Sequence, residues 1–400
     1  MGKCRVVLHD YVTHLIVLIA LAVALGTPGC KRATVAVPRA DPDACGDPVS
    51  SSIDSWQVAT PETVGLSKAA LCPMVKWLAE SKLDNVHAVL VVRHGKLVFE
   101  QYFAGDDEHL GRRAGIVTFG PTVRHDERSV SKSVVSLVMG IAIDHGWIKS
   151  VDVPVFSFFP EYAGLSTPEK SRITIRDLLT MSSGLEWHEE DVPYTSPDNS
   201  EILMDRSSDP LRAALAPGMA AEPGKIWNYN SGSTELLGAI LKKATGKAVD
   251  QLAGTLLFAP LGIADFTWYK NPDGRPHAAG GLRLRPRDLA KIGQLILQRG
   301  SWNGTQVIPS AWLDAATAPH IMGEFLFFYG YQFWLGRSLL NGHEVKWTAA
   351  VGLGGQRLYV IPELDMVVAL NSGMYTSARQ GQVALQVLDR YVMPAVEHSG

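Results

Sequence analysis

Apolar positions return along this chain in two rhythms, and the change between them marks out the elements. Over residues 67–83 they fall at helical spacing. Residues 86–93 and 96–103 are then rich in β-branched and aromatic side chains, and His94-Gly95 lies between them, which predicts a hairpin. A matching pair, 357–361 and 366–370, flanks Pro362-Glu363-Leu364-Asp365 near the other end, and a last helix is expected over about 381–395. Between the two strand pairs the rhythm is mainly helical. Residues 131–145 are apolar on nearly every side, as in a buried central helix. Residues 173–181, 234–245 and 287–298 read as amphipathic helices, the last with Pro286 suited to a first turn. The aromatic run 325–334 reads as a buried strand. The predicted class is α+β: an antiparallel sheet built from N- and C-terminal strands, flanked by helices, with a mainly helical lobe inserted at about 150–275.

The first thirty residues follow neither rhythm. Lys3 and Arg5 precede an unbroken apolar run, 15–25, and then Gly26-Thr27-Pro28-Gly29-Cys30. A run this short suits a secretory signal better than a membrane span. The small residue before Cys30 resembles a bacterial lipobox, in which the cysteine is acylated. The expectation is an exported protein of the bacterial cell envelope, periplasmic or held at the outer membrane by lipid on Cys30. Residues 1–30 would be the leader, 31–58 a tether rich in Ala, Pro and Asp, and 59–397 the catalytic domain. Export permits disulfides, so Cys45 and Cys72 could tie the extension to the first helix or remain separate thiols.

Composition narrows the function by exclusion. With 46% hydrophobic and 19% charged residues and a net charge of −3, the chain has ample core material and no block of like charge. Nothing in it fits nucleic acid as a partner. No phosphate loop, H-E-x-x-H or cysteine cluster occurs, so neither cofactor nor metal is expected. The acidic stretch at Trp187-His188-Glu189-Glu190-Asp191 reads as the rim or lid of a site, with Trp187 as an aromatic that touches substrate, or as a solvated loop. His277 could line the same site or serve structure.

Three segments carry chemistry. Ser129-Val130-Ser131-Lys132 opens the buried central helix, where serine and lysine three residues apart share a face. A chain of this serine and lysine content holds about one S-x-x-K by chance, so position carries the weight. A surface lysine fits poorly at the head of an apolar helix, whereas a serine there meets free backbone N–H groups able to hold an oxyanion. The second segment, 223–232, is a polar turn containing Tyr229. There a nearby ammonium would lower the phenol and let it share a proton with serine and lysine. The third, Ala349-Ala350-Val351-Gly352-Leu353-Gly354-Gly355-Gln356, precedes the C-terminal hairpin, and its glycines permit close approach of a ligand to backbone.

In order and spacing these segments resemble the serine β-lactamase and penicillin-binding-protein superfamily. The likeness is to the class C β-lactamase-related group, with its esterases, D-amino-acid peptidases and 6-aminohexanoate-dimer hydrolases. It extends through Ile173-Thr-Ile-Arg-Asp-Leu-Leu-Thr-Met-Ser-Ser-Gly-Leu185, Gly280-Gly281-Leu282 and Trp302-Asn303-Gly304. The resemblance implies Ser129 as acylated nucleophile, Lys132 as its base and Tyr229 as the tyrosine of a Y-x-N motif. Ser231, Gly352, Gly354 and Gly355 would contact substrate or oxyanion, with one oxyanion N–H near Gly354. Two positions depart from the pattern. Ser231 stands where the better-known enzymes have Asn, and Ala350-Val351-Gly352 stands where lactamases have K-T-G or H-x-G, with Lys346 out of register. The leading expectation is therefore hydrolysis of a small ester, linear amide or short peptide. The alternatives are a D,D-carboxypeptidase, endopeptidase or β-lactamase, and a non-catalytic lipoprotein that kept the fold.

Overall fold

The computed structural model describes Cys45, residues 54–81 and residues 84–397. Cys30, the leader and most of the expected tether lie outside the described residues.

Eight strands form one antiparallel sheet. In spatial order they are Ile321–Met322, Phe328–Tyr329, Trp334–Leu340, His343–Gly352, Gln356–Ile361, Met366–Ser372, Val86–Arg93 and Lys96–Tyr102. An N-terminal and a C-terminal strand pair as its sixth and seventh members, where Val89 lies opposite Leu370 and Val91 opposite Val368. His94 and Gly95 both take positive φ, 51° and 71°, which matches the twist of a tight hairpin.

Every residue of Met366–Ser372 is buried, yet neighbours along it serve opposite cores. Val367 and Ala369 pack with the helices Val130–Asp144 and Pro286–Leu297. Met366, Val368 and Leu370 pack with the helix Lys68–Glu80 and the C-terminal helix that starts at Gln380. A strand covered on both faces reads as an unbroken apolar run instead of an alternation. Gly293 lets the Pro286–Leu297 helix lie close, since a Cβ there would stand 2.5 Å from Val367 Cγ1. The helix Val130–Asp144 is the core of the first layer, and truncating fully buried Leu137 to alanine would cost about 2–5 kcal/mol. On the second layer Cys72 is bonded to Cys45, with Cα atoms 5.4 Å apart.

Two regions differ from the sequence reading. The aromatic run is not a buried strand: Phe325 and Leu326 have positive φ and are 83% and 80% exposed. Within the run only Phe328–Tyr329 and Trp334, which opens the next strand, pair, because backbone in the left-handed region cannot continue a ladder. A hairpin of Ala104–His109 and Arg112–Thr118 also forms beside the main sheet. Its strands are too polar to announce themselves by periodicity.

Candidate active site

The short strand His125–Asp126 turns into the central helix through Arg128, a non-glycine residue at φ 51°. That turn leaves Ser129 at the N-cap, with a side chain that caps nothing. Its Oγ instead accepts from Lys132 Nζ at 2.9 Å. The same nitrogen donates to the Ala279 carbonyl at 3.0 Å and stands 5.0 Å from the centre of the Tyr229 ring. Lys132 is 2% exposed, so its polar contacts are confined to this corner. Behind it the Ala279 amide donates to Glu235 at 2.9 Å. His277 lies 3.4 Å from both Glu235 and Asp205. Burial works to lower His277, but the two acids outweigh it and raise the ring to about 9. It belongs to this buried support and does not line the cavity.

The facing wall is the end of the strand His343–Gly352. This strand pairs with Trp334–Leu340 only as far as Ala349, so Ala350, Val351 and Gly352 keep partners on one side alone. Gly352 brings that open edge against the turn before Ser129: a Cβ there would stand 2.4 Å from the Glu127 carbonyl oxygen. Gly354 and Gly355 follow at φ 88° and 98°, and neither amide is free for an oxyanion. Gly354 N–H donates to Gln380 Oε1 at 2.6 Å, and Gly355 N–H turns back to the Gly352 carbonyl. The free amide of this turn is therefore one residue before Gly354, at Leu353. The amides of Leu353 and Ser129 have no acceptor among the described residues, and both residues line the same cavity.

Tyr229 is 6% exposed, and burial pushes its phenol well above the usual range. Glu189 and Glu190 add to that rise, and a hydrogen bond with Ser129 opposes it. The expected lowering by an ammonium is thus reversed, because burial and two carboxylates outweigh it. The ring lies near Trp334, with centroids 6.3 Å apart.

Ser231 and Trp187 do not face the substrate space. Ser231 Oγ donates to Glu189 Oε1 at 2.7 Å and its amide to Oε2 at 2.8 Å. Trp187 Nε1 donates to Glu189 Oε2 at 2.7 Å, and its ring packs under Gly232. Both are buried and neither lines the cavity, which corrects their reading as contact residues. The residue that unites them, Glu189, also accepts from Tyr194 Oη at 3.1 Å. Burial first, and then the Glu201 charge, raise its carboxyl to about 7, against the pull of Lys132. A glutamate in a charged pentapeptide gives no sign that it folds inward, so sequence reading passed it over.

The cavity holds about 760 Å³. Ser129, Tyr229, Tyr194 and Glu190 line one part, and Phe327, Trp334, Trp347 and Leu385 give it apolar walls. Arg357, on the strand next to Val351, also borders it and donates to the Gly352 carbonyl at 3.1 Å. A hydroxyl paired with an amine, two free amides and a mostly apolar cleft form a site suited to acyl transfer.

Known proteins agree with that architecture. The chain is 27% identical over 360 residues to the 6-aminohexanoate-dimer hydrolase of Paenarthrobacter ureafaciens, covering 84% of this chain and 81% of the relative. It is 27% identical over 231 residues to esterase EstB of Burkholderia gladioli, about half of each protein (55% and 54%). Among solved structures, the octameric penicillin-binding protein homologue from Pyrococcus abyssi superposes with a TM-score of 0.58 at 21% identity, over 80% of this chain and 77% of that one. A penicillin-binding protein homologue from Caulobacter crescentus does so with a TM-score of 0.60 at 18% identity, over 80% and 96%. These likenesses show the fold. The Beta-lactamase family model itself matches residues 85–389, most of the chain, and the protein accordingly belongs to the β-lactamase family of serine hydrolases.

Proposed function

We propose that this protein is an exported hydrolase that forms an acyl-enzyme on Ser129 and cleaves a small ester, linear amide or short peptide. The observation that carries this reading is the 2.9 Å contact between Ser129 Oγ and Lys132 Nζ at the wall of a largely apolar cavity. Lys132 takes the hydroxyl proton as Ser129 attacks the carbonyl carbon. The Ser129 and Leu353 amides receive the oxyanion of the tetrahedral intermediate. Tyr229, held as a neutral phenol, is placed to pass a proton toward the leaving group, and water then releases the acyl group. The relatives named as a dimer hydrolase and an esterase support amide and ester substrates. The leader pattern and Cys30 support export and a lipid anchor, with 59–397 as the catalytic domain.

Labelling with a fluorophosphonate, read by intact mass, tests the nucleophile. One adduct is expected on the parent chain, mapped to Ser129 and absent from Ser129→Ala. A folded parent that takes no adduct would overturn the acyl-enzyme reading and favour a binding role.

One observation favours a second reading. Arg357 puts a guanidinium beside the cavity from the adjoining strand, although no basic residue stands at Ala350. A substrate carboxylate, as in D-Ala-D-Ala peptides, would suit it. Faster turnover of such peptides than of neutral esters, lost in Arg357→Met, would move the assignment to a carboxypeptidase.

A further inference from the structure

Three side chains from three different strands converge next to the turn that carries Ser129. His87 lies on the strand Val86–Arg93, Asp107 on the added hairpin, and His125 four residues before Ser129. All three are buried, the two histidines completely. One ligating atom from each falls within 4.8 Å of the others.

Their hydrogen bonds fix the ring tautomers. His125 Nδ1 lies 3.0 Å from the Asp126 backbone carbonyl, which can only accept, so Nδ1 carries the hydrogen. His87 Nε2 lies 3.0 Å from Asn85 Oδ1. The Asn85 amide cannot be the other way round, because its nitrogen donates to the carbonyls of Asp106 at 2.7 Å and Gly373 at 3.2 Å. His87 Nε2 therefore also carries its hydrogen. Gly105 and Gly373 hold this arrangement tightly: a Cβ on either would stand within 2.6 Å of Asn85 or the His87 ring. Phe119 stacks on that ring at 4.1 Å.

The two remaining ring nitrogens, His87 Nδ1 and His125 Nε2, then present lone pairs to each other across 2.8 Å. Two neutral rings so arranged repel unless a cation lies between them. Asp107 stands beside the gap, with Oδ1 3.7 Å from His125 Nε2. Its Oδ2 is buried and has no hydrogen-bond partner. Each histidine also gives its outer N–H to an oxygen, the pattern by which proteins orient imidazole ligands toward a metal.

We propose that His87 Nδ1, His125 Nε2 and an Asp107 carboxylate oxygen bind a divalent metal ion of the zinc class. Two imidazoles and a carboxylate match zinc in ligand type. Bonds of about 2.0–2.1 Å at a tetrahedral angle span about 3.3 Å, so the rings need part by only about half an ångström. The ion has a structural task. Tyr375 donates to Asp107 Oδ1 at 2.9 Å, packs against Gly354 and lies under the Arg128 guanidinium at 4.6 Å. Metal at this point braces the residue before the nucleophile and the glycine turn that faces it.

The test uses the full chain, stripped with a chelator and then dialysed against Zn²⁺. About one zinc per chain is expected by elemental analysis, with a rise in thermal midpoint. Asp107→Asn and His87→Gln, checked as folded by circular dichroism, should bind at least about tenfold more weakly, and Asn85→Ala about 10–100-fold more weakly. X-ray absorption on the zinc-loaded parent needs no variant and should show imidazole nitrogen and carboxylate oxygen with no sulfur. Less than about 0.1 zinc per folded chain would overturn the site and leave a proton shared between the rings. Zinc retained in full by the doubly substituted Asp107→Asn, His87→Gln chain, or an absorption spectrum without imidazole, would overturn it equally.

Discussion

The two walls of the cleft are made in different ways. One is a single helical turn, where Ser129 and Lys132 lie three residues apart and touch because any helix brings such positions together. The other is assembled from the 352–355 turn, Tyr229 and the 187–194 loop, which meet only through the tertiary fold. The geometry of the first wall is set within one helical turn, with the Ala279 carbonyl as an outside partner of the Lys132 nitrogen. The second depends on close backbone approach and buried polar pairing, so small substitutions there should act at a distance.

The largest effect that sharpens this comparison is expected at Tyr229, the residue of the second wall that reaches the first. Tyr229→Phe keeps the ring against Trp334 and removes only the hydroxyl. With a cleavable ester, kcat should fall by about 10²–10⁴-fold while KM changes little, measured by steady-state kinetics. Fluorophosphonate labelling of Ser129 should slow but persist. A kcat within a factor of two of the parent would remove Tyr229 from proton transfer and assign the chemistry to the helical wall alone.

A smaller but more diagnostic effect is expected at Gly352. A methyl group there meets the Glu127 backbone oxygen at 2.4 Å, so strand and nucleophile turn must separate. Gly352→Ala should lower kcat by about 10–100-fold through misplacement of the oxyanion donors. Stability should drop by about 1–3 kcal/mol in denaturant titration. Full activity in this variant would mean that the Leu353 amide is not an oxyanion donor. The same contrast explains what could be read from sequence. The S-x-x-K pair, the central helix and both terminal hairpins were legible because each is a local pattern of spacing or periodicity. An amide near Gly354 was expected to be free, but which amide of the turn stays free depends on Gln380, 26 residues away. Trp187 and Ser231 were misdirected because only the fold shows them turned inward onto Glu189. Phe325 misled as well, since an aromatic run carries no sign of its positive φ.

The smallest expected effect lies at Glu189, and its geometry makes the outcome specific. Oε2 accepts from two fixed N–H donors, Ser231 N and Trp187 Nε1, while Oε1 accepts from two hydroxyls, those of Ser231 and Tyr194. Hydroxyls can turn and accept, so Glu189→Gln fits with its carbonyl toward the N–H pair and its NH₂ toward the hydroxyls. This variant should fold, with kcat within about tenfold of the parent, whereas Glu189→Ala strands buried donors at about 1–3 kcal/mol each. The pH dependence separates charge from shape. Burial raises the Glu189 carboxyl to about 7, above the ordinary value of 4.5, so the folded protein keeps a proton that the unfolded chain has released. The stability tied to that proton is present below 4.5 and is lost as pH rises toward 7. Glutamine holds no such proton, so the thermal midpoint of Glu189→Gln should gain on that of the parent steadily from pH 4.5 to 7. Parallel midpoint curves would mean that Glu189 is ionised throughout, so that the second wall holds a full negative charge close to Lys132.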